Sequence, residues 1–169
     1  MNQYIQQMEL KTKFQHTVID FIKNDLVETK PAVCIAKKGI GKTTALVFAS
    51  LDVEESVVVL CPGKMLSETF LSKVRDVINK RGQSYKGFNE DRIRINDNKS
   101  IYAYPVGQET WDVHIDDDVG YVFFDDAHFL HPLVTKRLVT KLNNKKIAIT
   151  TNHLISELQG VVKVRITNN

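Results

Sequence analysis

The stretch AKKGIGKTT, residues 36–44, decides the fold of this chain. An apolar run with strand character precedes it at residues 32–36, and an apolar run with helical character follows it at residues 45–49. A strand, a tight loop with glycines and a helix start are together the context of a phosphate-binding P-loop. In such a loop, backbone N–H groups converge on phosphate oxygens at the helix N-terminus. The stretch therefore predicts a nucleotide-phosphate site between a strand and a helix.

The loop residues have separate expected roles. Lys42 is a catalytic candidate because its ammonium group can reach the outer phosphates, and the Thr43 hydroxyl can ligate Mg²⁺. The full motif opens with a Gly where this chain has Ala36, which can adopt the turn if its φ is negative. The alternative is a chance Gly-Lys-Thr on an ordinary loop. The residues expected to bind the phosphates of ATP are Gly39, Ile40, Gly41, Lys42, Thr43 and Thr44.

A second motif, YVFFDDAH at residues 121–128, supports the nucleotide site. Its four apolar residues predict a buried strand of a parallel sheet, and two carboxylates follow at the strand end, where ligands bind in open α/β sheets. In a P-loop ATPase, Asp125 would hold Mg²⁺, directly or through its water shell, and Asp126 would polarise the attacking water. The alternative is a strand that ends in a solvated acidic turn. Both motifs occur in the expected order, which favours an ATP site with Mg²⁺.

Length and composition indicate one ordinary globular domain. A chain of 169 residues with 43% hydrophobic and 25% charged residues leads us to interpret residues 1–169 as a single P-loop ATPase domain. No apolar run approaches the roughly 20 residues that span a membrane, and the N-terminus lacks the apolar core of a signal peptide. We therefore expect no membrane contact and a cytoplasmic location, in the host cytoplasm if a phage encodes the chain. Cys34 and Cys61 lie in apolar runs and are expected to be buried free thiols.

Strand and helix signals alternate along the chain. The predicted strands lie at residues 33–36, 56–61, 121–124, 146–151 and 161–166, of which 56–61 and 121–124 are expected to be buried. Apolar residues with helical spacing fall within residues 14–22, 45–49, 66–78 and 133–142. Residues 92–95 and 100–102 alternate polar and apolar, which predicts a hairpin. The pattern predicts an α/β fold with a mostly parallel sheet, helices on both faces and an inserted β-hairpin.

The order of these motifs resembles the ATPase domain of large terminases, the motors that package DNA into tailed-phage heads. It is also similar in pattern to single RecA-like domains of helicases. The resemblance covers roughly residues 14–152, and its more specific parts are the hairpin and the strand KIAITTN at residues 146–152. It implies a RecA-like P-loop NTPase fold. It also implies double-stranded DNA as the partner and an oligomer as the active form, with other motor or portal-type proteins as further partners.

The resemblance adds candidate residues outside the P-loop. Gln15, in the pair Phe14-Gln15, resembles the aromatic–Gln element that reads adenine in these families. Thr150 and Thr151 resemble the Thr-rich coupling motif, which relays the γ-phosphate state to a moving surface. The alternative for the two threonines is that they are common strand residues with no further role.

The chain departs from the terminase pattern at several positions. Terminases of this type usually carry an Arg inside the P-loop where this chain has Lys37-Lys38, so Lys38 becomes the candidate for γ-phosphate stabilisation, without the bidentate fork of Arg. Asp126 replaces the usual Glu and is one methylene shorter. Thr110-Trp111-Asp112 and Asp116-Asp117-Asp118 lie where the family has an Arg-Gly pair. Residues 1–169 contain no counterpart of the terminase nuclease domain, so no DNA cutting is expected.

Two clusters carry weaker signals. Three histidines, His128, His131 and His153, match no strong metal-ligand spacing. The net charge is only +3, so any polyanion-binding surface must be local. A basic cluster after the acidic motif is expected to be a solvated face, with polyanion contact as the alternative. Its members are Lys136, Arg137, Lys141, Lys145 and Lys146.

The sequence therefore predicts an ATPase that uses ATP and Mg²⁺ to act on DNA, most directly in phage genome packaging. An alternative from another class is a hydrolysis-poor, nucleotide-gated binding module derived from a terminase or helicase domain. A third hypothesis is half of a helicase, although no second RecA-like domain is found in the sequence. DNA-stimulated turnover distinguishes the motor from the binding module.

Overall fold

The computed structural model describes residues 12–107 and 113–168, so Thr110-Trp111-Asp112 lies outside the described residues. The helices are α1 (Lys13–Asn24), α2 (Lys42–Asp52), α3 (Lys64–Lys80) and α4 (Pro132–Lys141), with 3-10 turns at Ala127–Phe129 and Ser156–Leu158. The strands are β1 (Ala32–Ile35), β2 (Ser56–Cys61), β3 (Gly87–Phe88), β4 (Arg92–Asn96), β5 (Lys99–Pro105), β6 (Val119–Phe124), β7 (Lys146–Thr151) and β8 (Val164–Thr167).

All described strands join one sheet in the order β3-β4-β5-β2-β6-β7-β1-β8. Neighbouring strands from β5 to β8 pair in parallel, whereas β4 is antiparallel to both β3 and β5. β2 shows why the central strands are continuously apolar. Its Val57 and Val59 pack on one side of the sheet and Val58 and Leu60 on the other, and all four are at most 1% exposed. The predicted mostly parallel sheet is confirmed.

Helices cover both faces of the sheet. α1, α2 and α3 bury Ile22, Leu46 and Phe70 against one face, and α4 buries Leu138 against the other together with the two 3-10 turns. The apolar spacing of four residues in α3 places Phe70, Val74 and Ile78 in the core, as the sequence predicts. Among the described residues, none of the helices is both long and apolar enough to span a membrane.

The predicted hairpin is present, and it forms part of the main sheet. β4 and β5 pair antiparallel, with Ile93 opposite Ile101. β5 also pairs in parallel with β2, with Ala103 opposite Val59, so the hairpin extends the main sheet. The reason is burial on one side of β5, where Ile101 and Ala103 are at most 1% exposed and complete the core beneath α3. The short strand β3 then pairs with β4 at the outer edge.

The strand order places a crevice next to β1. From β1 the chain passes through α2 and returns in β2, which lies three positions along the sheet, whereas β8 pairs on the other side of β1. In open α/β sheets, ligands bind where the order reverses, beyond the carboxyl ends of the strands. β6 and β7 end at the same edge as β1, because these three strands are adjacent and parallel. The fold therefore brings the P-loop, Asp125-Asp126 and Thr150-Thr151 to one place.

Candidate nucleotide-binding site

A cavity of about 450 Å³ lies beyond the carboxyl ends of β1, β6 and β7. This volume is in the ordinary range for a small-ligand pocket. Most residues predicted to bind nucleotide line its wall, and Asp125 lies buried behind Thr43. The lining residues are Thr12, Gln15, Lys38, Gly39, Ile40, Gly41, Lys42, Thr43, Thr44, Lys73, Asp126, His128, Phe129 and Asn152.

The P-loop takes its shape from two glycines. Gly39 and Gly41 have φ of 89° and 88°, a left-handed backbone that L side chains rarely adopt. A Cβ on Gly41 would also lie 2.0 Å from Gln15 Nε2, so this position needs a residue without a side chain. Among the described non-glycine residues, only Thr29 and Asp126 have positive φ. Ala36 therefore makes the turn at the start of the loop with an ordinary backbone, and the missing first glycine leaves no strain.

Lys42 is held inside the loop. Its side chain is 6% exposed, and Nζ donates hydrogen bonds to the carbonyl oxygens of Ala36 at 2.7 Å and Lys37 at 3.0 Å. Burial lowers the pKa of Lys42, whereas the nearby charges of Asp125 and Asp126 act in the opposite direction. The ammonium group of Lys42 is thus hydrogen-bonded to the loop backbone, next to the position where phosphate is expected in a P-loop.

Thr43 and Asp125 form an oxygen pair suited to a divalent cation. Thr43 Oγ1 donates to Asp125 Oδ2 at 2.9 Å, and Thr150 Oγ1 donates to Asp125 Oδ1 at 2.9 Å. Asp125 is 5% exposed, and burial together with the Asp126 charge raises its pKa to about 6, although the two threonine hydroxyls and Lys73 act against this increase. No described group of three or more His, Cys, Asp or Glu could cage a metal by itself. One hydroxyl and one carboxylate fit Mg²⁺, which takes its other ligands from phosphates and water.

Asp126 lines the cavity with a strained backbone. Its φ of 52° and ψ of 50° are left-handed, and such outliers cluster at functional sites. The backbone N–H of Asp126 donates to Thr150 Oγ1 at 3.1 Å. One buried hydroxyl, that of Thr150, therefore joins the Asp125 carboxylate to the turn that carries Asp126. Thr151 Oγ1 instead donates to the carbonyl of His153 at 2.9 Å, in the loop after β7. Their coupling role stays a prediction.

Gln15 fastens α1 to the P-loop. It forms a capping box with Thr12, in which Thr12 N donates to Gln15 Oε1 at 3.0 Å and Gln15 N donates to Thr12 Oγ1 at 3.1 Å. Gln15 Nε2 donates to the Gly41 carbonyl at 3.1 Å, and Thr12 Oγ1 donates to the Ile40 carbonyl at 3.3 Å. The helix cap and the phosphate loop thus share one hydrogen-bond network. The adenine-reading role of Gln15 stays a prediction.

Sequence reasoning missed part of the cavity wall. His128 Nδ1 accepts a hydrogen bond from Asn152 N at 3.2 Å, and its ring lies 4.2 Å from that of Phe129. Burial lowers the pKa of His128. Its position three residues after Asp125 is a signal that could have found it. Lys73 has no such signal, because it reaches the cavity from α3 only through tertiary packing.

The basic cluster of the sequence is not a single face. Lys136, Arg137 and Lys141 line one shallow groove on α4. Lys145 is 8% exposed and donates to the carbonyl of Asp116 at 3.2 Å. Lys146 is the first residue of β7, and its Nζ lies 3.6 Å from the carboxylate of Glu55, the residue before β2. The expectation of a purely solvated face is therefore wrong for Lys145, which the fold uses to hold the segment before β6.

A loop with two left-handed glycines, next to two carboxylates in a mostly parallel sheet, gives the chain the architecture of RecA-like domains. No protein-family profile and no curated protein sequence matches it.

Comparison with solved structures finds similar folds in a phage terminase and in helicases. The chain is similar to the large terminase of a thermophilic bacteriophage in complex with ADP, with a TM-score of 0.67, 12% identity and coverage of 92% of this chain and 44% of that chain. It is similar to a hypothetical ATP-dependent RNA helicase from Sulfolobus tokodaii, with a TM-score of 0.64, 20% identity and coverage of 98% and 56%. It is also similar to a DEAD box protein from Methanococcus jannaschii, with a TM-score of 0.65 and 15% identity. That match covers 98% of this chain and 52% of that chain.

These likenesses concern the fold. The chain spans about half the length of the structures that it matches. The predicted RecA-like fold is confirmed, and so is the resemblance to the ATPase domains of phage terminases and helicases.

Proposed function

We propose that this chain binds and hydrolyses ATP with Mg²⁺ and drives a motor that acts on double-stranded DNA, in phage genome packaging. The observation that carries the proposal is the contact of 2.9 Å between Thr43 Oγ1 and Asp125 Oδ2, beneath a glycine-built loop and beside Asp126. A hydroxyl at the P-loop and a carboxylate at a neighbouring strand end are the two protein groups that hold Mg²⁺ in P-loop ATPases. The ADP complex of the similar phage terminase supports nucleotide as the ligand.

The binding roles follow from the positions of the side chains. Backbone N–H groups from Gly39 to Thr44 face the phosphates, and Lys42 exchanges its loop carbonyls for phosphate oxygens. Thr43 and Asp125 would hold Mg²⁺, which would supply positive charge to offset that of the phosphates. Gln15 lines the same cavity, and we propose that its amide reads adenine after it releases the Gly41 carbonyl or the Thr12 N–H.

Asp126 is the group proposed to direct hydrolysis. It accepts a hydrogen bond from a water whose oxygen attacks the γ-phosphorus. The bond from phosphorus to the β–γ bridging oxygen breaks, its electron pair leaves with ADP, and the water proton passes towards the Asp126 carboxylate or the phosphate. Lys38 is exposed on the loop, and we propose that it meets the charge that develops on the γ-phosphate.

Coupling to DNA would run through β7. Thr150 contacts both the Asp125 carboxylate and the Asp126 backbone, so a change at the phosphates changes the hydrogen bonds of this strand end. Thr151 continues the path into the loop at His153. We propose that residues 1–169 form one such ATPase domain, in the cytoplasm of a host cell. It would work as an oligomer with other motor or portal-type proteins, since one domain makes no closed track for DNA.

A hydrolysis-poor, nucleotide-gated module is the second candidate function. The observation in its favour is that residue 126 is Asp, whose carboxylate is one methylene shorter than that of Glu. The shorter group has less reach towards a water at the γ-phosphate. Lys38 in place of Arg also favours slow hydrolysis, because a Lys makes one contact with the phosphate where the planar fork of Arg makes two.

Steady-state ATP hydrolysis with and without double-stranded DNA tests the proposal. The motor predicts turnover that double-stranded DNA stimulates and that single-stranded RNA does not, and Lys42→Ala provides the inactive control. Tight ATP binding without turnover in any of these conditions would support the gated module. Stimulation by RNA alone would contradict the packaging assignment and favour a helicase-type partner.

A further inference from the structure

Lys73 is a cation of the cavity that none of the sequence motifs contains. It lies in the middle of α3, and its side chain lines the same cavity as Lys42, Thr43 and Asp126. Lys73 therefore shares one cavity with the residues proposed to hold Mg²⁺ and the terminal phosphate.

The helix holds Lys73 in a fixed position. Its neighbours Phe70, Val74 and Val77 are at most 3% exposed, and they pack α3 against the sheet. Lys73 itself is half-buried, whereas Lys38 is exposed on the P-loop. An ammonium group on a packed helix loses less freedom on meeting a phosphate than one on an exposed loop. Of the two lysines, Lys73 is therefore the better preorganised.

The ammonium group of Lys73 also has no competing contact to give up. It makes no hydrogen bond or salt bridge to any described residue, whereas Lys42 donates to two loop carbonyls. A half-buried cation without an acceptor, in a cavity that already contains a P-loop, is suited to an anionic ligand. The charges on this wall are Lys73, Lys42 and Lys38 against Asp126 and the buried Asp125.

We propose that Lys73 contacts an oxygen of the γ-phosphate of ATP and stabilises the charge that develops there during hydrolysis. It supplies from α3 the second cationic contact that a P-loop Arg would give through its planar fork, and that Lys38 alone does not give. This inference rests on the proposed function, since it concerns the same ATP site. It predicts that Lys73 distinguishes a triphosphate from a diphosphate.

The test compares Lys73→Ala and Lys73→Met with Lys80→Ala. Lys80 is on the same helix and carries the same charge, but it does not line the cavity. Both Lys73 variants should lower turnover by roughly 10- to 100-fold and weaken a non-hydrolysable ATP analogue, while ADP affinity stays within about twofold. Lys80→Ala should behave as wild type. Lys73→Met keeps the aliphatic stem, so it separates loss of charge from loss of packing.

Two outcomes overturn the role of Lys73. The first is a turnover and an ATP-analogue affinity that match wild type in both variants, and the second is an equal loss of ATP-analogue and ADP affinity. A wild type that binds nucleotide without turnover would instead contradict the proposed function. In that case the ratio of ATP-analogue to ADP affinity still tests Lys73, since only a γ-phosphate contact makes the ratio fall in the variants.

Discussion

Gly41 lines the cavity from the P-loop (the phosphate wall), Asp126 lines it from the turn after β6 (the carboxylate wall), and both have a left-handed backbone. Gly41, with φ of 88°, directly precedes α2, and Asp126, with φ of 52°, directly precedes the 3-10 turn after β6. Glycine adopts this conformation at no steric cost, whereas a residue with a Cβ loses roughly 1 kcal/mol. The backbone of the phosphate wall is therefore unstrained at Gly41, whereas the backbone of the carboxylate wall carries this modest strain at Asp126.

The difference shows what selects each residue. Gly41 is required by shape, because a Cβ there would lie 2.0 Å from Gln15 Nε2. Asp126 has a backbone that both glycine and Asp can adopt, so shape alone does not select its carboxylate. The hydroxyl of Thr150 holds the strained turn by accepting the Asp126 N–H. Substitution of Gly41 should therefore mainly lower the stability of the protein, whereas substitution of Asp126 should mainly lower the rate of ATP turnover.

The largest expected effect is at the carboxylate wall. Asp126→Asn keeps the left-handed backbone, which Asn tolerates, and removes the carboxylate that we propose directs water. We expect turnover to fall by roughly 10²- to 10⁴-fold while ATP affinity changes little. Asp125→Asn is the matched variant, and it should lose Mg²⁺-dependent binding. Steady-state kinetics and nucleotide titration separate the two. Wild-type turnover in Asp126→Asn would assign the catalytic role to another residue.

The next effect is at the phosphate wall, where two glycines provide a matched pair. Gly41→Ala combines a positive φ with a collision against Gln15, and we expect it to lower the free energy of unfolding by about 2–3 kcal/mol and to weaken ATP binding. Gly39 has φ of 89° but no atom within 4 Å of an added Cβ. In Gly39→Ala, backbone strain alone should therefore lower the free energy of unfolding by about 1 kcal/mol. Chemical denaturation measures both. Equal losses would show that the contact with Gln15 has no structural weight.

A smaller effect is expected in the pH dependence of stability without nucleotide. Burial raises the pKa of Asp125 to about 6, so between pH 4 and pH 6 the folded protein binds more protons than the unfolded chain. The contribution of Asp125 to stability is therefore fully present below pH 4 and is lost as the pH rises through about 6. Denaturant titrations across this range should show the decrease in wild type and a flatter profile in Asp125→Asn. The same slope in both proteins would contradict a buried, protonated Asp125.

The smallest expected effect tests the strain itself. Asp126→Gly releases the left-handed conformation, although glycine also loses more freedom on folding, so the net gain in unfolding free energy should be under about 1 kcal/mol. Turnover should be lost as in Asp126→Asn. Unfolding midpoints of the two variants can be compared directly, because both lack the carboxylate. A Gly variant clearly less stable than the Asn variant would show that the turn is held by side-chain contacts and stores no strain.

Local motifs in the sequence predicted the residues that lie next to each other along the chain. The stretches 56–61 and 146–151 are continuous apolar strands because both faces are covered, and their bounds match β2 and β7. The P-loop and Asp125-Asp126 follow strands that the topology makes neighbours. Lys73 was missed because its position depends on how α3 packs, and the main-sheet pairing of β5 was missed because alternation indicates a strand without indicating its second neighbour.

Titration of ATP into wild type and Lys42→Ala, with Mg²⁺ and again with a chelator, tests most directly that the cavity is a Mg²⁺–ATP site. We expect saturable binding to wild type that weakens at least about tenfold without Mg²⁺, and weak binding to the variant in both conditions. Thermal unfolding without nucleotide checks that the variant is folded. Equal affinity for wild type and folded variant, or no effect of Mg²⁺, would contradict the site.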